Sequence, residues 1–315
     1  MRIVLTEPLG ISAETLKQLS APLEAAGHTF VSYDTVAAGA ELAGRCKGAD
    51  ILMIANHPLP AEALRTCPAL KFVSVAFVGY DHVDLGVCRE LGASISNTAG
   101  YCDDAVAELA VGLTISCLRS IPAQDANVAS GLGSIALKGH ELAGKTVGIV
   151  GTGAIGQRTA EIFRVFHCNL LGYSRTKRPE AEALGIRYVT LPELMAQSDI
   201  VSVHTPLTPE TRGLIGKDEI ARMKQGAILI NTARGPVVDT QALADALNNG
   251  RIFAGIDVYE KDPPLVEDHP LRGAKNLIRT PHIGFNTRES IDRRAAMAFE
   301  NVTAFLAGKP VRVVL

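Results

Sequence analysis

KTVGIVGTGAIG, residues 145–156, is the stretch that decides the fold. The apolar run Thr146 to Val150 leads into Gly151, Gly153 and Gly156, with the spacing G-x-G-x-x-G. Behind the glycines, Ile155, Ala160, Ile162, Phe163 and Phe166 recur at helical intervals. Three spaced glycines alone are a weak sign. A strand that turns through them into a helix is a dinucleotide-binding fingerprint. Gly151 permits the tight turn, Gly153 lets the backbone approach a pyrophosphate, and Gly156 lets helix and strand pack closely. The opening N–H groups of the helix, at Ala154 and Ile155, then offer partial positive charge to phosphates.

Working outward, this loop heads a series of apolar runs. They are Leu170-Leu171, Ile200 to Val203, Ala227 to Ile230, Ile252 to Ile256 and Leu277-Ile278, most of them separated by helical patterns. An earlier series precedes it. Ile3-Val4-Leu5, Ile51 to Ile54 and Phe72 to Ala76 read as strands, with helical spacing over Ser12 to Ala26 and near Leu85 to Leu91. Alternation of this kind implies parallel sheets covered by helices. Asp103 to Leu118 reads as one long helix joining the two series, with Val106, Leu109, Leu113 and Cys117 on one face. The glycine-rich stretch after it, SGLGSIALKGHELAG, reads as a loop. A last amphipathic helix, about Thr287 to Leu306, has no strand of the second series after it, so it is expected to cross back to the first.

The bulk properties narrow the partners. The chain has 315 residues and a formal net charge of −2, with 47% hydrophobic and 20% charged residues. That is about two domains with ample core. No basic face suggests nucleic acid, and no apolar run approaches the ~20 residues of a membrane span. The N-terminal MRIVLTEPLG is too short an apolar run for a signal peptide. Six scattered cysteines without a CxxC pair suit free thiols in a reducing cytoplasm. The histidines show no metal-ligand spacing, so no metal is expected.

The strand after the glycine loop names the dinucleotide. It ends Tyr173-Ser174-Arg175-Thr176-Lys177-Arg178, where an NAD site would place an acid against the ribose hydroxyls. A carboxylate there would repel a 2′-phosphate. Ser174 can donate to one, Arg175 can pair with it, and Thr176 adds a donor. The reading is NADP preferred, with NAD as the alternative.

Three segments place reactive residues just after apolar runs, at the carboxyl edge of a parallel sheet where ligands bind. They are Ile230 to Asp239 around Arg234, Gly255 to Pro264 with Asp257, Glu260 and Asp262, and Thr280 to Gly284 around His282. With the glycine loop, and with GYDHVD at 79–84, DAVAEL at 104–109, HTPLTPET at 204–211 and DHPL at 268–271, the chain resembles the D-isomer-specific 2-hydroxyacid dehydrogenase family over nearly its whole length.

The resemblance implies an α/β fold of two Rossmann-like domains. A flavodoxin-like substrate domain would span 1–98 and 288–315, and a doubly wound NAD(P)-binding domain 99–287, with the active site in the cleft between them. It implies a catalytic set of Arg234, Asp262 and His282. The chemistry suits them: an arginine forks to a substrate carboxylate and favours a developing alkoxide, a histidine supplies the proton, and a carboxylate stabilises the imidazolium. The family's usual acid is glutamate. Asp262 is shorter by one methylene, and Glu260 two residues earlier is the alternative. Asp257 resembles the residue that accepts from the nicotinamide amide. Val106, His204, Thr205, Pro206, Thr211, Thr232, Ala233 and Gly284 match cofactor-lining positions. Backbone N–H groups at Val78 and Gly79 would hold the substrate carboxylate, and Asn56 or His57 would touch the substrate.

Relatives acting on phosphoglycerate carry arginines in the loop that reads Ile54 to Pro60 here, and this loop has none. The chain is also short for the regulatory domain many of them have. Glyoxylate, hydroxypyruvate or a similar small 2-oxo acid is the expected partner, reduced to the D-2-hydroxy acid. A homodimer through Tyr101 to Leu142 is expected, although the tryptophan common there is absent. The rival readings are a D-lactate or phosphoglycerate type of dehydrogenase, and a dinucleotide-sensing corepressor without turnover.

Overall fold

A computed structural model describes residues 1–133, 138–261 and 263–315. The first elements are β1 (Arg2–Leu5), α1 (Ala13–Ala25), β2 (Thr29–Ser32), α2 (Gly39–Cys46), β3 (Ile51–Ile54), α3 (Ala61–Leu64), β4 (Phe72–Val75), α4 (Leu85–Leu91) and β5 (Ser94–Ser96). Then come α5 (Asp103–Arg119), α6 (Ile121–Ala129), β6 (Thr146–Val150), α7 (Ala154–Val165), β7 (Asn169–Tyr173), α8 (Pro179–Ala183), β8 (Arg187–Tyr188), α9 (Leu191–Gln197) and β9 (Ile200–Val203). The rest are α10 (Lys217–Arg222), β10 (Ile228–Asn231), α11 (Thr240–Asn248), β11 (Phe253–Ile256), β12 (Leu277–Arg279) and α12 (Arg288–Leu306).

The chain divides into two compact units, Met1–Cys102 with Thr287–Leu315, and Asp103–Asn286. The divisions fall a few residues from the expected 98/99 and 287/288, for local reasons. Ala99 to Cys102 stay with the first unit because Thr98 N–H donates to Phe77 O and Arg293 Nε donates to Tyr101 O. Thr287 goes with α12 because its hydroxyl caps that helix, accepting from Ser290 N–H at 3.2 Å.

The first unit is a five-stranded parallel sheet in the order β2-β1-β3-β4-β5. Its inner strands β3 and β4 are buried along their whole length, which is why they read as unbroken apolar runs. α12 presents Ala295, Ala298, Phe299 and Val302 to this core, and Phe305 stacks on Phe72 with ring centroids 4.5 Å apart. Each large apolar side chain so buried contributes about 1.5–3 kcal/mol. Two polar bonds fix the helix: Ser74 Oγ donates to Ala298 O and Asn301 Nδ2 donates to Asn97 O.

The second unit is a seven-stranded parallel sheet in the order β12-β11-β10-β9-β6-β7-β8. The order reverses between β6 and β9, so the chain winds outward in both directions from the glycine-loop strand. Such a switch point leaves a crevice at the carboxyl ends of the strands. α5 buries Val106, Ala110, Leu113 and Cys117, one helical stripe, and joins the core formed by β6, β9 and β10.

The short edge strands β2 and β8, together with β5, are absent from the apolar pattern of the sequence. β2 is half exposed and β8 has two residues, so neither needs a continuous apolar run. α6 also escapes the sequence pattern, since it has no buried residue among those described. Part of the expected 130–144 loop, residues 134–137, lies outside the described residues.

Candidate active site

In the second unit, six parallel strands deliver the predicted residues to one sheet edge. β6 ends at Gly151, whose φ of +97° closes the turn and whose missing side chain matters: a Cβ there would lie 2.7 Å from His204 O. A Cβ on Gly156 would lie 2.0 Å from Gly151 O, so α7 can approach the loop only through a glycine. Gly153 is the N-cap of α7, makes no side-chain cap bond, and has open space where its Cβ would be. The first-turn N–H groups of α7, which include Ala154 and Ile155, therefore face an open cradle. That fits a pyrophosphate.

β7 ends in the turn Ser174 to Arg178. Ser174 is half-buried, and Arg175, Thr176, Lys177 and Arg178 are exposed, so donors and positive charge stand together where a carboxylate is absent.

β9 ends at His204. Its Nε2 lies 2.8 Å from Ser202 Oγ, and burial pulls its pKa down to about 4, so the ring is neutral at pH 7. His204 Nδ1, Thr205 Oγ1 and Thr232 Oγ1 are buried polar atoms with no partner. Such atoms are costly unless something completes them. They stand after β9 and β10, and a Cβ on Gly151 of the glycine loop would lie 3.0 Å from Thr205 Cγ2. Thr211 behaves differently. Its hydroxyl donates to Pro206 O at 2.6 Å and accepts from Thr208 N–H at 2.8 Å, closing the 206–211 turn on itself. Pro206 contributes that accepting carbonyl.

β10 ends with Asn231, which is buried and shapes the next three residues. Its Nδ2 donates to Arg234 O and its Oδ1 accepts from Ala233 N–H. Thr232 and Ala233 lie within this turn, and Arg234 leaves it at the sheet edge, where its Nη1 donates to Ala233 O at 2.9 Å.

β11 ends at Asp257, which is fully buried. Its carboxylate organises the turn after β12. Oδ1 accepts from Thr280 Oγ1 at 2.6 Å and from Ile283 N–H at 2.8 Å, and Oδ2 accepts from Gly284 N–H at 2.8 Å. His282 N–H donates to Asp257 O, and its φ of +57° is an uncommon conformation that these four bonds hold in place. The His282 ring meets Phe285 edge-on, with centroids 5.3 Å apart. Val106 packs beneath: its Cγ2 lies 3.6 Å from where a Gly284 Cβ would stand. Asp257, matched in the sequence to a cofactor contact, is thus first a brace for the histidine turn.

Asp262 lies outside the described residues. The alternative acid, Glu260, is engaged elsewhere. Its Oε1 accepts from Thr240 Oγ1, and its Oε2 lies 3.1 Å from His269 Nε2. Burial opposes its ionisation, but the bonds from Thr240 and His269 outweigh it and hold the carboxyl below the usual range.

In the first unit, Asn56 and His57 follow β3, and Val78 and Gly79 follow β4, the neighbouring strand. The two turns are tied together. Leu59 N–H donates to His82 O at 2.9 Å, and His82 Nε2 lies 3.0 Å from Ala55 O. Glu7, missed in the sequence, sits buried just after β1, accepts from Ala55 N–H at 2.8 Å and contacts His57 Nδ1. A charged residue directly after an apolar run was the signal that would have found it.

A separate hollow of about 790 Å³, lined by Arg164, Leu170, Leu184, Arg187 and Lys224 among others, lies at the amino end of the second sheet. Parallel sheets bind ligands at the other edge, and Lys224 is already paired with Asp199 at 2.8 Å.

The family described as "D-isomer specific 2-hydroxyacid dehydrogenase, NAD binding domain" matches residues 111–284, which span β6 to β12 and include the glycine loop, Arg234, Asp257 and His282. The chain belongs to this family. The chain is similar to a hydroxypyruvate reductase of Blautia hydrogenotrophica, 38% identical over 302 residues that cover 93% of each chain. A glyoxylate reductase of Thermococcus litoralis is 40% identical over 269 residues, covering 82% of this chain and 81% of its own. Among solved structures, an acyclic imino acid reductase in complex with NADPH and D-Arg superposes with a TM-score of 0.90 at 28% identity, covering both chains completely. Membership in the family gives the glycine-loop unit its NAD-binding character.

Proposed function

We propose that the protein is an NADPH-dependent reductase that converts a small 2-oxo acid, glyoxylate or hydroxypyruvate, to the D-2-hydroxy acid. The observation that carries this reading is the edge of the second sheet. Arg234 after β10 and His282 after β12 flank the turn from β11, whose buried Asp257 braces the histidine. Relatives named glyoxylate reductase and hydroxypyruvate reductase support the substrate class.

When bound, the nicotinamide supplies the hydride. Arg234 holds the substrate carboxylate in a two-pronged grip and favours negative charge on the carbonyl oxygen. His282 gives its ring proton to that oxygen. Asp262 stabilises the protonated ring and fixes its tautomer. The cofactor would be held by the α7 N-terminus, by Thr205 and Thr232, and by Ser174, Arg175 and Thr176 on the 2′-phosphate. The last assignment is supported by the absence of an acid after β7 and by the NADPH in the imino acid reductase.

Initial rates of NADPH and NADH oxidation with glyoxylate, hydroxypyruvate, pyruvate and phenylpyruvate test the reading. A preference for NADPH with glyoxylate or hydroxypyruvate is expected. Faster turnover with NADH would remove the 2′-phosphate assignment, and no turnover despite dinucleotide binding would favour the sensor reading. α6 leaves Ile121 and Val128 exposed, with Leu132 after it, which supports a homodimer through this segment. Sedimentation velocity should give twice the 33.3 kDa chain mass.

A further inference from the structure

We propose that Tyr188 sets the 2′-phosphate selectivity of the cofactor site, by tying the glycine loop to the basic turn after β7. The proposal rests on the NADP reading above and names the residue that positions its phosphate-binding turn.

β8 has two residues and pairs with β7 at the sheet edge, Gly172 opposite Tyr188. A Cβ on Gly172 would lie 2.4 Å from Ile186 Cγ2, 3.3 Å from Thr152 Cγ2 and 3.5 Å from Tyr188 Cδ1. The missing side chain leaves a slot in which Thr152 and Tyr188 meet. Thr152, inside the G-x-G of the glycine loop, is fully buried, and its hydroxyl lies 2.6 Å from Tyr188 OH. The same phenol oxygen accepts from Arg178 N–H at 3.0 Å, at the far end of the basic turn. Lys177 Nζ stands 5.9 Å from the centre of the Tyr188 ring. One side chain therefore touches the pyrophosphate loop through its hydroxyl and the 2′-phosphate turn through both hydroxyl and ring.

The energetic consequence is preorganisation. Arg175 to Arg178 are exposed, so a turn without this tether would have to be ordered when the phosphate arrives, at a cost in affinity. The pyrophosphate cradle has ties that do not involve the phenol: Gly151 N–H donates to Tyr173 O at 2.8 Å, and Gln157 Nε2 donates to Thr152 O at 2.9 Å. Loss of the Tyr188 hydroxyl should therefore weaken the phosphorylated cofactor selectively.

The test is calorimetric binding of NADPH and NADH, and of 2′-phospho-ADP-ribose and ADP-ribose, to wild type, Tyr188→Phe and Thr152→Val, with thermal melting to show that each variant folds. For Tyr188→Phe the NADPH Kd should rise about tenfold while the NADH Kd changes less than about threefold. Thr152→Val, which keeps the phenol and its bond to Arg178, should move the ratio the same way by less. In turnover, the KM for NADPH should rise with kcat unchanged, as for lost uniform binding. Equal losses for both cofactors, or an unchanged ratio in a wild type that prefers the 2′-phosphate, would overturn this role for Tyr188 alone. A wild type that binds 2′-phospho-ADP-ribose no tighter than ADP-ribose would overturn the cofactor reading and this proposal with it.

Discussion

The turn after β7 and the turn after β12 lie toward opposite ends of one sheet edge and are held in opposite ways. Residues 174–178 are mostly exposed and basic; they are held at their far end, where Arg178 N–H donates to Tyr188 OH and Arg178 O accepts from the N–H groups of Ala181 and Glu182. Residues 280–284 hang on one fully buried carboxylate, Asp257, which takes three hydrogen bonds from them. The difference follows from what each turn is read to do. A phosphate is bound by charge, which falls off slowly with distance and tolerates some movement. A proton donor has to stand within hydrogen-bond reach of the reacting oxygen, so its backbone is fixed by groups that cannot relax.

The contrast can be broken or sharpened by substitution. The largest effect is expected at Asp262, the acid proposed to serve His282. Asp262→Asn should lower kcat/KM by about 10²–10⁴-fold, as for loss of a group serving the proton donor. Glu260→Gln should leave kcat/KM near the wild-type value, since its carboxylate serves Thr240 and His269. The opposite outcome would transfer the role to Glu260.

Next comes the brace. Asp257→Asn turns an acceptor oxygen into an NH₂ group facing backbone donors, and should cost about 1–3 kcal/mol for each donor left unsatisfied, read from urea unfolding. kcat should fall with it as His282 loses its fixed backbone. A variant with wild-type midpoint and rate would show that the rigidity of this turn is irrelevant.

The smallest effect belongs to the other end. Ser174→Asp should lower the NADPH-to-NADH ratio of kcat/KM by about tenfold, through repulsion of the 2′-phosphate. Its stability should stay within about 0.5 kcal/mol of wild type, as for an ordinary surface change. A large loss of stability would mean that the β7 turn is braced as firmly as the β12 turn.

Much of this was legible along the chain. The glycine loop, the inner strands and the helices α1, α5, α7 and α12 each satisfy a local rule, because buried strands need apolar runs and half-buried helices need apolar stripes. Arg234, Asp257 and His282 were found by one rule too, a polar residue just past an apolar run. Glu7, two residues past the run Ile3 to Leu5, fits the same rule. Tyr188 and Thr152 gave no such signal. They are 36 positions apart and meet through the space left by Gly172, which no window of sequence contains.

The amino-acid sequence by itself determined the two α/β series, the dinucleotide loop, the missing acid after β7 and the family, because these depend on residue type and short-range spacing. Only the tertiary structure decided which polar groups answer one another. It gave the Asp257 carboxylate to the histidine turn, left the Thr205 and Thr232 hydroxyls buried and unpartnered after β9 and β10, and tied the basic turn to the glycine loop through Tyr188. Hydrogen bonding depends on direction and on distances of about 3 Å, and strand order, not chain order, sets both.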